Sequence, residues 1–247
     1  MNLQDFFAQH PSGALAFSGG TDSSLLAWAA MQYGRDWHAY YVNSAFQPSF
    51  ELADAQKIAE QCRIPLTVIE GDILADDTVV ANPENRCYYC KRVVFGMILR
   101  QAATDGYKLV VDGTNASDDA SDRPGMRALQ EMEVLSPLRE CGLTKSDVRA
   151  ISREADLFTW NKPSYACLAT RIPSGTAITA EALKTVEAGE NVLFSMGFQD
   201  FRIRLRGDAA LLQIPASQFS CAVEKRQQLL ERLSALFSTV SLDLCTR

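Results

Sequence analysis

Ala14-Leu15-Ala16-Phe17-Ser18-Gly19-Gly20-Thr21-Asp22-Ser23-Ser24-Leu25-Leu26-Ala27-Trp28-Ala29-Ala30 is the stretch that decides how the chain is read. A short apolar run ends at Ser18, and a helix-forming run begins within a few residues. That is the order of a strand, a tight loop and a helix N-terminus. Gly19 and Gly20 let the backbone turn sharply and approach an anion closely. Free N–H groups and the helix dipole favour phosphate at such a terminus. Ser18, Ser23 and Ser24 add hydroxyl donors, and Asp22 is placed to help hold Mg²⁺. A Walker A loop requires Lys after its second Gly, and a dinucleotide fingerprint requires Gly-x-Gly-x-x-Gly; neither is present. The expected ligand is a nucleotide polyphosphate.

Working outward, strand-like segments at Ala14–Phe17, His38–Val42, Leu66–Ile69, Lys108–Val111 and Glu133–Leu135 alternate with helical ones. The helices are expected at Ser24–Met31, Phe50–Cys62 and Tyr89–Thr104. This alternation predicts an α/β fold with a parallel sheet. Ligands of such sheets bind beyond the C-terminal strand ends. Ser18–Ser24 and the loop Asp112-Gly113-Thr114-Asn115 fall there. A second pattern starts near Gly175: a helix over 180–196, a strand over Phe201–Arg206, a hairpin partner at Ala209–Ile214, a long helix over 216–237 and a last strand at Thr239–Leu244. The expected division is residues 1–174 and a small α+β domain of residues 175–247. Arg202, Arg204 and Arg206 alternate and so share one strand face. That row suits bidentate phosphate binding, or it is a solvated outer face.

The chain has 247 residues, a formal net charge of −6 and 47% apolar residues, enough for a substantial core. The eight basic and eight acidic residues from Gly175 onward cancel, so the acidic excess belongs to the N-terminal part. This balance argues against a nucleic-acid-binding face. With no run of 18 apolar residues, no membrane span is expected. The N-terminus lacks the layout of a signal peptide, and the expected compartment is the cytoplasm.

Seven cysteines, an odd number, argue against a disulfide framework. Cys87 and Cys90 form a Cys-x-x-Cys pair at a helix start, where i and i+3 share a face. The pair has three readings: a ligand pair, a redox dithiol, or half of a zinc site. Zinc would need further ligands, and the only histidines are His10 and His38. Cys167 follows a proline-marked loop and lies near Arg171. It is a candidate nucleophile or a small buried apolar residue.

Ser18–Ser24 resembles the PP-loop of the ATP pyrophosphatases, which release pyrophosphate and leave an adenylated substrate. With it stand Asn82–Lys91, Asp112–Asn115, Asp122–Gly125, Ser136–Leu138, Gly142–Lys145, Lys162–Arg171 and Arg202–Arg204. Together these strings resemble the LarE family of ATP-dependent sulfur transferases. The resemblance implies an adenine nucleotide alpha hydrolase-like domain and MgATP as co-substrate. It implies a pyridinium biscarboxylic acid mononucleotide as substrate, in the synthesis of a nickel-pincer nucleotide. Asp112, Gly113 and Thr114 are then expected beside the nucleotide, and Arg202 and Arg204 on the substrate phosphate. Cys167 supplies sulfur in the family, with Asp22 and Arg171 as catalytic companions. In some members the cysteine gives up its own sulfur. In others three cysteines hold a 4Fe–4S cluster whose open iron carries sulfide.

The presence of Cys87, Cys90 and Cys167 favours the cluster variant. Glu190 matches an acidic position that binds metal in the family, and the family tends to form homo-oligomers. Two departures stand out: Gln213 where Glu is expected, and Ser174 where Tyr is usual. A tRNA thiolase would require a basic RNA path, which the charge does not support. A nucleotide- or cluster-binding sensor would release no pyrophosphate.

Overall fold

A computed structural model describes residues 1–118 and 124–245. In chain order the elements run α1 (Leu3–Gln9), β1 (Ser12–Ala16), α2 (Thr21–Tyr33), β2 (Asp36–Asn43), α3 (Ser49–Cys62), β3 (Leu66–Glu70), α4 (Asp77–Val80), α5 (Arg86–Thr104) and β4 (Val110–Val111). They continue with α6 (Pro124–Glu131), α7 (Pro137–Glu140), α8 (Lys145–Glu154), α9 (Ala180–Ser195), β5 (Arg202–Arg206), β6 (Ala209–Gln213), α10 (Phe219–Glu224), α11 (Arg226–Leu233) and β7 (Val240–Leu242). The chain divides into two compact units, Met1–Ile73 with Asn85–Lys162, and Leu74–Glu84 with Pro163–Arg247.

The first unit is α/β. Its four strands are all parallel in the order β3-β2-β1-β4. Strand periodicity sends alternate side chains to opposite faces. Leu15, Ala39, Tyr41 and Val111 enter one core with residues of α1, α2, α3 and α8. Ala14, Tyr40, Val42 and Val110 enter the other with residues of α5 and α6. Burial of each large apolar side chain stabilises by about 1.5–3 kcal/mol, so the sheet is held from both faces. The expected strand at Glu133–Leu135 is reduced to a single parallel bridge between Val111 and Leu135. Glu133 has φ 56°, outside the extended region, and ends the ladder there.

The second unit carries a three-stranded mixed sheet: β5 and β6 form an antiparallel hairpin, and β7 runs parallel to β6. Helix α9 packs against it at Gly189, where a Cβ would lie 2.8 Å from the Phe237 ring and 2.9 Å from Ile203. The expected long helix over 216–237 is broken. A 3-10 turn at Ala216–Gln218 leads into α10, and Lys225 separates α10 from α11. The Lys225 ammonium donates to the Met196 carbonyl at 2.6 Å, which ties the break to the end of α9.

The division also differs from the boundary expected at residue 174. The second unit begins at Pro163 and recruits Leu74–Glu84. Buried Asn82 explains the recruitment: its amide donates to the Pro173 and Thr176 carbonyls at 2.8 and 3.1 Å, and its own carbonyl accepts from Gly175. No helix among the described residues is long and apolar enough to cross a membrane.

Candidate functional site

In the first unit, connections step from β1 to β2 to β3 in one direction, whereas β4 lies on the other side of β1. The strand order therefore reverses between β1 and β4, which is where open α/β sheets leave a ligand crevice. The loops leaving these two strands are Ser18–Gly20 and Asp112–Asn115. They meet closely: a Cβ on Gly113 would lie 3.1 Å from the Ser23 backbone nitrogen and 3.3 Å from the Asp22 Cβ. Glycine at 113 is what lets the second loop reach the start of α2.

The Ser18–Ser24 stretch has the expected layout of a turn into a helix start. Gly19 has φ +67°, and a Cβ there would lie 2.8 Å from the Ala55 Cα in α3. Gly20 is the N-cap of α2, with no side-chain cap on the helix terminus. The Ser23 and Ser24 hydroxyls both donate to the Gly20 carbonyl, at 3.2 and 2.8 Å. Ser23 Oγ also accepts from the Ser18 N–H at 3.3 Å. Ser18 itself is exposed, whereas Ser23 and Ser24 are buried. The serines thus hold the turn as well as lining it.

Asp22 lies in the first turn of α2. Its Oδ1 accepts from the Asn115 amide at 3.0 Å, and its Oδ2 pairs with the Lys145 ammonium. Lys145 begins α8, whose capping box is formed by Thr144 and Asp147. A second lysine, Lys162, pairs with Asp54 at 2.7 Å and reaches the Gly19 carbonyl at 3.4 Å. Two lysines from distant parts of the sequence thus lie at a loop that has none of its own, each paired with an aspartate. Asp112 is buried and organises its own loop: it accepts from the Thr114 hydroxyl and N–H and from the Ser136 hydroxyl, the last at 2.7 Å. Lys145, Lys162, Asn115 and Ser136 carried no assigned role in the sequence. The strings Gly142–Lys145, Lys162–Arg171, Asp112–Asn115 and Ser136–Leu138 contained them but did not say what they touch. Of the string Asp122–Gly125, Asp122 and Arg123 lie outside the described residues.

Cys87 and Cys90, neither in a disulfide, lie in the first unit one turn apart near the start of α5; Cys87 is exposed and Cys90 half-buried. Arg86, largely buried, lies with its guanidinium 6.0 Å from the Phe46 ring centroid and donates to the Cys87 sulfur at 4.0 Å. Cys167, in no disulfide and half-buried, belongs to the second unit and lies just before the 3-10 turn Leu168–Arg171.

Among the described residues no group of three His, Cys, Asp or Glu side chains is gathered to hold a metal ion. Three thiols are nevertheless the right donor chemistry for an iron–sulfur cluster.

Glu190, the other expected metal contact, is engaged by protein partners. It is 1% exposed, and both its oxygens are taken by the Arg171 guanidinium at 2.9 and 3.1 Å. It also accepts from the Ile203 N–H at 2.9 Å and from the Tyr165 hydroxyl. Burial and the Glu190 charge drive the Tyr165 phenol well above its ordinary pKa, so it remains a donor. Arg171, expected beside the reaction, is fully buried against Glu190 instead, because an unpaired guanidinium in that core would be costly.

Of the arginine row, Arg206 is exposed, whereas Arg202 and Arg204 are turned to protein partners. Arg202 is 4% exposed and donates to the Phe201 and Ser164 carbonyls at 2.6 and 2.8 Å. Arg204 donates to the Gln213 side chain at 2.9 Å and to the Thr170 carbonyl. Gln213, one of the departures, bridges Arg204 to Asp243, to which it donates at 2.7 Å.

No family model matches the chain. It is 36% identical over 227 residues to an uncharacterized protein of Synechocystis sp., covering 90% of this chain and 84% of that one. It is 28% identical over 231 residues to an uncharacterized protein of Methanocaldococcus jannaschii, covering 94% and 88%. It is 33% identical over 233 residues to the pyridinium-3,5-bisthiocarboxylic acid mononucleotide synthase of Lactiplantibacillus plantarum, covering 93% of this chain and 84% of the synthase. At that identity and coverage, together with the α/β unit, the chain belongs to the LarE family of that synthase.

Proposed function

We propose that the protein is an ATP-dependent sulfur transferase that converts the carboxylates of pyridinium-3,5-biscarboxylic acid mononucleotide to thiocarboxylates. The observation that carries this reading is the meeting of the β1 and β4 loops where the strand order reverses, in a chain similar to a synthase of the bisthiocarboxylate product. In the first step a substrate carboxylate oxygen attacks the α-phosphorus of ATP. The bond to the β-phosphate oxygen breaks, and pyrophosphate leaves onto the N–H groups of Ser18–Ser24. Asp22 exchanges Lys145 for Mg²⁺, and Lys145 and Lys162 offset the phosphate charge. Asp112 and Thr114 keep the neighbouring loop in place, and Gly113 leaves room for it.

In the second step sulfur adds to the acyl carbon, the carbon–oxygen bond to AMP breaks, and the thiocarboxylate remains. The Cys167 thiol is the proposed route for the sulfur. If it is the donor itself, its Cβ–S bond breaks as the α-proton leaves, and dehydroalanine is left. A 4Fe–4S cluster bound by Cys87, Cys90 and Cys167 would instead supply an open iron site for inorganic sulfide. Arg202 and Arg204 are the proposed partners of the substrate phosphate, and a homo-oligomer is the expected assembly.

The test is pyrophosphate release with MgATP and the biscarboxylate mononucleotide. Release that depends on that substrate supports the reading, and no release overturns it. Anaerobic purification then separates the donors. About four irons per chain, lost in Cys87→Ala, Cys90→Ala and Cys167→Ala, identify the cluster. An iron-free protein whose Cys167 loses the mass of H₂S in one turnover identifies the cysteine.

A further inference from the structure

The segment carrying Cys167 is irregular from Ser164 to Ala166 and gains its order from side chains elsewhere in its own unit. Four carbonyls of Ser164–Thr170 are each held by an arginine. Arg202 donates to Ser164 O at 2.8 Å. Arg171 Nη1 donates to Ala166 O at 2.6 Å and to Cys167 O at 3.2 Å, and Arg204 donates to Thr170 O. The Tyr165 ring lies against two of these cations, its centroid 4.5 Å from Arg171 and 5.1 Å from Arg202. Its hydroxyl ends on Glu190, the buried counter-ion of Arg171. Glu190 is in turn fixed to β5 through the Ile203 N–H. A charge pair this buried is costly to desolvate and is weak grounds for stability alone. Its geometric effect is specific: Arg171 can bond the Cys167 carbonyl only while Glu190 and Tyr165 hold its guanidinium in place.

We propose that Tyr165 and Glu190 are positioning residues for sulfur transfer, which act through Arg171 to fix the backbone of Cys167 and so the direction of its thiol. The proposal rests on the reading that Cys167 handles the sulfur.

Two variants test it. Tyr165→Phe keeps the ring against the arginines and removes only the hydroxyl. Arg171→Met with Glu190→Leu removes the pair together, so neither charge is left buried alone, and such replacements are commonly well tolerated by the fold. Each is measured for melting temperature, for the pyrophosphate burst in one turnover, and for thiocarboxylate yield. The iodoacetamide alkylation rate of Cys167 is also measured, with Cys87 of the same sample as reference. The expected result is a folded protein with an unchanged pyrophosphate burst. Thiocarboxylate formation is slower by up to about 100-fold, the effect of misplacing a reacting group by about 1 Å, and the alkylation ratio of Cys167 to Cys87 is altered.

A purely structural role predicts otherwise: the double variant that regains wild-type melting also regains the wild-type thiocarboxylate rate and alkylation ratio. That outcome overturns the proposal. If wild-type protein releases no pyrophosphate, the functional reading fails. The alkylation ratio still decides whether the clamp holds Cys167, and an unchanged ratio in both variants overturns it.

Discussion

Replacing Gly19 by Ala tests whether the phosphate loop is held by backbone geometry. Two costs apply. At φ +67° an L-residue occupies the left-handed region, at about 1–2 kcal/mol. The new methyl would also lie 2.8 Å from the Ala55 Cα and 2.9 Å from its nitrogen. Those are backbone atoms inside α3 and cannot rotate away, so overpacking adds about 1–3 kcal/mol. The expected loss is about 2–5 kcal/mol, a large part of the 5–15 kcal/mol of an ordinary domain.

Gly20 supplies the control. It has an ordinary backbone conformation, φ −82°, and its Cβ would meet only the Ser18 hydroxyl, at 3.3 Å. Gly20→Ala should cost about 1 kcal/mol, the difference between a good and a poor N-cap. All three tryptophans, Trp28, Trp37 and Trp160, belong to the first unit, so urea unfolding followed by tryptophan fluorescence reports on that unit alone. Gly19→Ala should lower its midpoint clearly more than Gly20→Ala, and should weaken ATP binding. Equal stability of the two variants, within about 0.5 kcal/mol, would refute the claim that α3 and the left-handed turn fix this loop.

Three further outcomes follow from the same geometry. Asp22→Asn should abolish pyrophosphate release while leaving the first unit within about 1 kcal/mol of wild type, because Lys145 and Asp22 remain partly solvated, at 31% and 22% exposure; fluorescence unfolding and a pyrophosphate assay read the two separately. Burial pushes the Cys62 thiol up to about 11, so at pH 8 iodoacetamide should label exposed Cys87 and spare Cys62 until the chain is unfolded, as peptide mass analysis would show. His38 is held below its ordinary pKa by burial, against the opposing pull of Asp105 and Asp36. Between its native and unfolded pKa values the unfolded chain binds the extra proton, so His38 makes stability fall as pH drops through the range just below 6.5. Urea midpoints across that range should be flatter in His38→Gln.

How far the site was legible depended on whether its residues are neighbours in sequence. Ser18–Ser24 could be read because a strand, a glycine turn and a helix start are all local, and the structure places each where the pattern implies. The partner of Asp22 could not: Lys145 is 123 residues away, and no periodicity links a helix N-terminus to the start of α8. The arginine row shows the same boundary more finely. Alternation correctly put Arg202 and Arg204 on one strand, because period two is a property of the extended backbone. It carried no information about what covers that strand. The cover is the segment Ser164–Thr170, which takes up the guanidinium donors itself.

That cover changes the meaning of the arginines for the reaction. A substrate phosphate seeking Arg202 and Arg204 must compete with the Ser164 and Thr170 carbonyls that flank Cys167. A guanidinium meets only a neutral acceptor in a carbonyl, whereas phosphate offers it an opposite charge and two oxygens for a bidentate pair, so the exchange favours phosphate. Each guanidinium that moves also loosens one end of the cysteine segment. Arg171 has no such alternative, because Glu190 holds it in a fully buried pair. Binding of the substrate phosphate would then free the ends of the segment while its middle, at Ala166 and Cys167, stays fixed. Hydrogen exchange with and without the mononucleotide checks this. Faster exchange at the Thr170 amide, with Ile203 unchanged, is the expected result. Uniform protection across Ser164–Arg171 would show that the arginines do not leave the carbonyls when phosphate arrives.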